Sequence, residues 1–103
     1  MTIPKKFKIL GIEITVEIKD DLVDTLDRWG QACYREDKIE IANYKKHGIK
    51  RQSIEQTFFH ELMHFIFNAV GENEINKDEK KVDLISGMLY QALTSGEGDV
   101  DAQ

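Results

Sequence analysis

Apolar and polar residues alternate from Ile12 to Ile18, and this two-residue period predicts a half-buried β-strand. Further apolar residues lie between Phe7 and Leu10, and Gly11 separates the two stretches, so we predict a short hairpin. From Gly30 to Asn43, two short β-prone stretches flank the charged sequence from Arg35 to Lys38, which predicts two more strands around a turn. The first part of the chain is therefore expected to form a small sheet.

The apolar spacing changes to a helical period in three later segments. Asp20 to Trp29 predicts a short helix, because two acidic residues begin it and apolar residues follow at helical spacing. Gln52 to Val70 predicts a long helix, with Ser53 as its N-cap and Gly71 as a stop signal. This helix is apolar nearly all round, which indicates the buried centre of a domain. A second long helix is predicted from Lys77 to Thr94, and its expected buried residues are Val82, Ile85, Leu89, Ala92 and Leu93, with Tyr90 packed in the core.

The remaining segments are predicted to be connections. Lys45 to Arg51 is strongly basic, which is more typical of a solvated loop than of a binding patch, and Glu72 to Asp78 is a polar link. Residues 1–94 are expected to form a single domain, because a chain of 103 residues leaves little room for a second. Residues 95–103 are acidic and rich in turn formers, so we expect a flexible tail. The predicted fold class is α+β, with a short antiparallel or mixed sheet packed on two helices.

Charge and composition exclude several classes of function. Fourteen Lys and Arg against 19 Asp and Glu give a net charge of −5, which disfavours a nucleic-acid or membrane partner. No apolar run approaches the roughly 20 residues of a membrane span. The N-terminal segment lacks a secretory signal, so we expect a cytoplasmic protein. The single cysteine, Cys33, excludes an intramolecular disulfide and a thiolate zinc site, and it is expected to be a buried small residue rather than a nucleophile.

The long predicted helix contains His60-Glu61-Leu62-Met63-His64, an HExxH sequence. Four residues of helix correspond to about 400° of turn and about 6 Å of rise, so His60 and His64 share one face. Both imidazoles can therefore reach one zinc ion. Glu61 lies beside this pair, where its carboxylate can act as a general base on a metal-activated water without binding the metal.

The alternative is that these are two core histidines with ordinary hydrogen-bond partners. Burying two imidazoles and a carboxylate among aromatic residues costs several kcal/mol unless each polar group is paired, and one metal ion pairs them all. Reactive zinc needs a third protein ligand. The candidates are Glu72, Glu74, Asp78, Glu79 and Asp83 after the motif, and His47 before it. Glu79 and Asp83 stand four residues apart on one predicted helix, so both can point toward the HExxH helix.

HExxH followed by Glu-x-x-x-Asp on the next helix resembles the gluzincin metallopeptidases. The resemblance implies a small zincin-like domain in which Glu79 is the third zinc ligand and Asp83 hydrogen-bonds a ring nitrogen of His60. The chain is more similar still to ImmA/IrrE-type domains and to small phage-associated metallopeptidase-like proteins, over roughly residues 29–93. That similarity implies a phage or prophage origin. Val82 and Asp83 stand where the ImmA/IrrE pattern has a small residue and Asn.

Two functions remain open at this point. The first is a peptidase with one zinc ion per chain, Glu61 as general base, and a protein or peptide substrate bound to a free strand edge at Ile39–Ala42. The second is a zinc-stabilised protein-binding module with little or no turnover, which the small size of the chain favours. The sequence does not indicate an oligomeric state. Candidates for contact with the substrate or its oxyanion are Tyr34, Tyr44, His47 and Arg51.

Overall fold

Four short strands form one mixed sheet in the computed structural model, which describes residues 1–26 and 28–101. The order across the sheet is β1-β2-β4-β3. The strands are β1 Lys6–Ile9, β2 Ile12–Lys19, β3 Gly30–Cys33 and β4 Lys38–Ala42. The α+β class and the mixed sheet are therefore confirmed.

The predicted hairpin at Gly11 is confirmed. Strands β1 and β2 pair antiparallel, with Ile9 opposite Ile12, so two residues make the turn. Both have a positive φ, +50° at Leu10 and +77° at Gly11. Such a turn matches the right-handed twist of the two strands, and glycine adopts the required conformation without steric cost.

Strand β4 lies in the interior of the sheet. It pairs parallel with β2 and antiparallel with β3, and its Ile39 and Ile41 side chains are buried. The expectation that Ile39–Ala42 is a free edge is therefore wrong. An alternating pattern shows which face of a strand is buried, but the neighbours on either side depend on long-range pairing. The edge on this side of the sheet is β3.

Five α-helices are found among the described residues, and two of them lie in segments predicted to be connections. The helices are α1 Leu22–Leu26, α2 Tyr44–His47, α3 Arg51–Ala69, α4 Asn73–Lys77 and α5 Glu79–Ser95. The Asn43 side chain accepts a hydrogen bond from the Lys46 amide at the start of α2, and Gly48, with φ +66°, ends that helix. The basic segment is thus partly a single capped turn of helix.

The long helix α3 begins earlier than predicted. Its N-cap is Lys50, so Ser53 lies inside the helix, where its backbone carbonyl accepts a hydrogen bond from the Thr57 hydroxyl. The N-cap prediction for Ser53 is therefore wrong, because a helix in a folded protein can start without a side-chain cap when packing holds its first turn. Gly71 lies two residues after the helix ends, with φ +73°, as a stop signal requires.

The core lies between the sheet and α3, and α5 packs on α3 from the other side. Aromatic rings join these layers, from Phe7 and Phe58 to Phe59 and Tyr90, with successive ring centres 5.6–5.9 Å apart. The ten core residues are Ile14, Leu22, Ile39, Ile41, Ala42, Ile54, Phe58, Phe59, Phe65 and Tyr90. Helix α3 is thus central, as predicted, and Tyr90 is a core residue.

The buried face of α5 differs from the prediction at its C-terminal end. Val82, Ser86 and Tyr90 are buried, whereas Ala92 is exposed and Leu93 is 66% exposed. The two helices run antiparallel, and the last turn of α5 reaches only the exposed first turn of α3. Residues 96–101 follow without regular secondary structure and are exposed. Among the described residues, no helix combines the length and the apolar character that crossing a membrane requires.

Candidate metal centre

Three side chains from α3 and α5 converge at one point. His60 and His64 lie one turn apart on α3, and the antiparallel packing of α5 places Glu79, its first residue, opposite them. One Glu79 oxygen lies 2.9 Å from Nε2 of His60, and the other lies 3.0 Å from Nε2 of His64. The two Nε2 atoms are 3.2 Å apart. One potential ligand atom from each of these side chains lies within 4.8 Å of the other two.

Each of the two rings has a polar contact on its far side. Nδ1 of His64 lies 2.6 Å from the side-chain oxygen of Asn76, and the Asn76 amide donates to the Tyr34 hydroxyl at 3.1 Å. Nδ1 of His60 lies 3.4 Å from a carboxylate oxygen of Asp83. Because the Asn76 oxygen accepts a hydrogen bond from Nδ1 of His64, a neutral His64 ring has its lone pair on Nε2. The contact of His60 with Asp83 is not a hydrogen bond, whereas Nε2 of His60 is within hydrogen-bond distance of Glu79. The Nε2 atoms of both rings face Glu79.

Two imidazole nitrogens and a carboxylate at these distances can share protons or hold a cation between them. A tetrahedral zinc ion with bonds of about 2.0–2.2 Å holds its ligand atoms about 3.3 Å from one another. The two Nε2 atoms are 3.2 Å apart, and each lies 2.9–3.0 Å from a different oxygen of Glu79, which is close to that value. This group of side chains could therefore hold a metal ion.

Glu61 is buried next to His60, His64 and Glu79, with 8% of its surface exposed. It lines the same cleft as the two histidines. Burial raises the pKa of its carboxyl to about 7; the neighbouring His64 imidazole and Arg28 guanidinium oppose this effect, and the Glu79 carboxylate adds to it. A carboxyl group with a pKa near neutrality can both take up and release a proton, which is what a general base and acid requires.

Strand β3 approaches α3 at this glutamate. A Cβ atom at Gly30 would lie 2.5 Å from Cγ2 of Thr57 and 3.3 Å from Cγ of Glu61, closer than side chains pack. Glycine is therefore needed at this position for the strand to pass the helix at contact distance. The edge of β3 and the Glu61 side chain consequently lie in the same cleft.

The cleft has a volume of about 860 Å³ and lies between the β3 edge and α5, with α3 as its floor. A polar stripe of α3 forms that floor, namely Ser53, Gln56, Thr57, His60, Glu61 and His64. Trp29 stands on the β3 side and is 48% exposed. Arg28 is the one cationic side chain among the described residues that line the cleft.

None of the four predicted contact residues is among the described residues that line the cleft. Tyr34 lies behind the metal centre, where its hydroxyl donates to the His64 backbone oxygen at 3.5 Å. The Arg51 guanidinium donates to the Tyr44 hydroxyl at 2.7 Å, near the start of α3. His47 lies 3.0 Å from the backbone oxygen of Asp20, to which its ring donates.

Sequence reasoning missed Asn76, Arg28 and the polar stripe of α3. Part of the stripe was detectable, because Gln56, His60 and His64 recur at four-residue spacing on one face of the helix. Asn76 lies in a segment predicted to be a polar link, and its contact with His64 depends on the turn of helix that forms there. No local pattern distinguishes Arg28 from the other surface cations.

Comparison of the chain with family models, with curated proteins and with solved structures gives no match. The side chains that converge in the cleft are therefore the basis for a functional assignment. They provide two imidazoles and a carboxylate for a cation, a buried carboxyl group beside it, and an open sheet edge along one wall.

Proposed function

We propose that this chain is a zinc-dependent peptidase of gluzincin type, with His60, His64 and Glu79 as metal ligands and Glu61 as general base. The observation that carries the proposal is the convergence of those three ligand atoms beside a buried carboxyl group in an open cleft. A closed structural metal site has a fourth protein ligand and does not need a base beside it. Glu61 therefore favours catalysis over a purely structural role for the metal.

The donor set supports zinc as the metal. Neutral imidazole nitrogens and a carboxylate oxygen are ligands that zinc accepts readily, and two histidines with one glutamate leave a position open for reaction. The hydrogen bond of His64 to Asn76 supports the tautomer that binds a metal through Nε2, and in this proposal Asp83 would do the same for His60. The assignment of Glu79 and Asp83 follows the gluzincin pattern.

The reaction adds water across a peptide bond, so a C–O bond forms, the C–N bond breaks, and a carboxylic acid and an amine result. Zinc, when bound, supplies a Lewis acid that lowers the pKa of water and polarises the peptide carbonyl. Glu61 accepts the proton of the attacking water and passes it to the nitrogen that leaves. Its burial keeps the carboxyl pKa close to the range in which both transfers are possible.

The edge of β3 provides a binding site for an extended peptide. The Trp29 carbonyl accepts a hydrogen bond from the Ala42 amide at 2.8 Å, which makes Trp29 and Ala42 a hydrogen-bonded pair. Pairs alternate along antiparallel strands, so the N–H and C=O groups of Gly30 and Ala32 point away from β4, toward the free edge. A peptide that pairs with these groups passes directly by Glu61. Arg28, at the same edge, is our candidate for contact with substrate oxygens.

The proposal is tested by cleavage of a degenerate, end-blocked peptide library followed by mass spectrometry. We expect zinc-loaded protein to cut these peptides and the Glu61→Gln variant, at equal zinc occupancy, to be about 10²–10⁴-fold slower. Equal rates for both proteins would exclude Glu61 as the base. If neither protein cuts any peptide although both bind zinc and peptide, the chain is a zinc-stabilised binding module instead.

A further inference from the structure

A second, smaller cavity continues the cleft away from the metal centre. Its volume is about 270 Å³, and it lies in the groove between the first half of α3 and the second half of α5. The residues that line it are Gln52, Gln56, Gly87, Tyr90, Gln91 and Thr94. Gln56 and Gly87 line both cavities, so the two cavities adjoin at these residues.

From this adjacency we propose that the groove binds an extended polypeptide segment that reaches from the metal centre past Gly87 to Gln52 and Thr94. The inference deepens the proposed peptidase function and rests on it, because it names long, unfolded chain segments rather than short peptides as the substrate class. Gln52 lies eight residues before His60, which corresponds to about 12 Å along the helix axis. An extended chain covers that distance with about three to four residues.

The chemistry of the second cavity suits a polypeptide backbone. All six of the described residues that line it are uncharged at neutral pH. The amide groups of Gln52, Gln56 and Gln91 can each donate and accept hydrogen bonds, as peptide groups do. Glutamine amides that hydrogen-bond to the main chain of a bound peptide do not discriminate between charged and uncharged peptide side chains. This part of the groove therefore favours longer peptides without selecting a particular sequence.

Gly87 keeps the passage between the two cavities open. It lies in the middle of α5, where glycine costs about 1 kcal/mol of stability relative to alanine. No atom lies within 4 Å of the position that a Cβ would take, so packing in the described structure does not require glycine here. Gly87 therefore lowers the stability of the helix without being needed for packing, and it lies where the two cavities meet. Both facts support a requirement for open space at this position.

The test compares peptides of two lengths with a variant that narrows the passage. Zinc-loaded protein carrying Glu61→Gln, which is not expected to cut peptides, is titrated into fluorescein-labelled, end-blocked degenerate peptides of four and twelve residues, and fluorescence anisotropy is measured. We expect Gly87→Gln in this background to weaken binding of the twelve-residue peptide about tenfold, equivalent to about 1.4 kcal/mol, and to weaken binding of the four-residue peptide much less. Met88→Gln is the control, since Met88 is exposed and outside both cavities.

Folding is checked on the same samples. Gly87→Gln replaces a poor helix former with a good one, so its thermal midpoint should equal or exceed that of the parent. The proposal is overturned if Gly87→Gln leaves the twelve-residue peptide unaffected, if both peptides weaken equally, or if the twelve-residue peptide does not bind. If that peptide binds in a Gly87-dependent way but wild-type protein does not cut it, the groove proposal holds and the peptidase proposal fails.

Discussion

Helix α3 buries two glutamates, six residues apart, that differ in almost every respect except their burial. Glu55 is 6% exposed and Glu61 is 8% exposed. Glu55 accepts hydrogen bonds from the Tyr90 hydroxyl at 2.6 Å and from Arg51 at 3.1 Å, and these bonds lower its pKa. Glu61 faces the cleft, and burial raises its pKa to about 7. The same residue type is thus held as a structural anion at one position and kept reactive at the other.

The difference follows from what the neighbouring elements supply. At Glu55, α5 contributes a phenol and α3 itself contributes a guanidinium, so a charged carboxylate is paired and stable. At Glu61, α5 contributes the carboxylate of Glu79, and β3 contributes the backbone of a glycine. A buried carboxyl group without matched donors takes up a proton readily, which is useful in catalysis and costly for stability.

The largest effect on zinc affinity is expected at Glu79, the proposed third metal ligand. Glu79→Ala should weaken zinc binding, measured by competition with a chelating dye, by more than the roughly 10–100-fold cost of losing an outer hydrogen-bond partner. Glu72→Ala and Glu74→Ala are the matched controls and should have little effect. Equal losses in all three variants would mean that the third ligand has been assigned incorrectly.

The partners of the two histidine rings should have the next largest effects, and their order is predicted. Asn76 contacts His64 at 2.6 Å, whereas Asp83 is 82% exposed as a side chain and contacts His60 at 3.4 Å. We therefore expect Asn76→Ala to approach a 100-fold loss of zinc affinity and Asp83→Ala to lie nearer tenfold. Lys77→Ala serves as the control on α4. A larger loss for Asp83→Ala would contradict the geometry of the two contacts.

Glu55, the structural glutamate, is expected to have a smaller, pH-dependent effect on the free energy of unfolding. The pKa of Glu55 in the folded protein lies below its ordinary value of 4.5, so its stabilising contribution is complete above pH 4.5 and is lost as pH falls through the folded-state pKa. Glu55→Gln should lower the free energy of unfolding by about 1–3 kcal/mol at pH 7 and have less effect near pH 3. If urea titrations of the metal-free protein showed that Glu55→Gln lowers the free energy of unfolding equally at pH 7 and near pH 3, the stabilising role of the Glu55 carboxylate would be excluded.

Cys33 offers the smallest test, on the opposite face of the sheet. Burial and a hydrogen bond to Glu40 raise the pKa of its thiol to about 11. At pH 8 the folded protein should therefore react with iodoacetamide about two orders of magnitude more slowly than the denatured protein. Glu40→Gln should accelerate the folded-state reaction. Rapid alkylation of the folded wild-type protein would show that the thiol is not held in this way.

Much of this fold was predictable from local patterns. The hairpin, the strands on either side of the charged turn, and the two long helices each have a periodicity that lies within one segment. HExxH brings His60, Glu61 and His64 together by helix geometry alone, so these positions need no tertiary information. The short helices α2 and α4 were missed, because single turns depend on caps and neighbours rather than on apolar spacing.

The remainder depends on pairing between distant segments. Which strand forms the edge of the sheet was predicted incorrectly, because β2 and β4 pair in parallel across residues that are far apart in sequence. The same limit applies to the contact of Asn76 with His64 and to the pairing of Glu55 with Tyr90. The sequence singled out Glu61 through HExxH, but no local pattern showed that Glu55 would be buried and paired with Tyr90.

The most direct test of this account measures cleavage per bound zinc and the thermal midpoint together, in the wild type, Glu61→Gln and Glu55→Gln. We predict that Glu61→Gln loses cleavage by about 10²–10⁴-fold and keeps its thermal midpoint, whereas Glu55→Gln keeps cleavage per zinc and has a lower midpoint. Loss of cleavage in both variants, or in neither, would contradict the division between a structural and a reactive glutamate on α3.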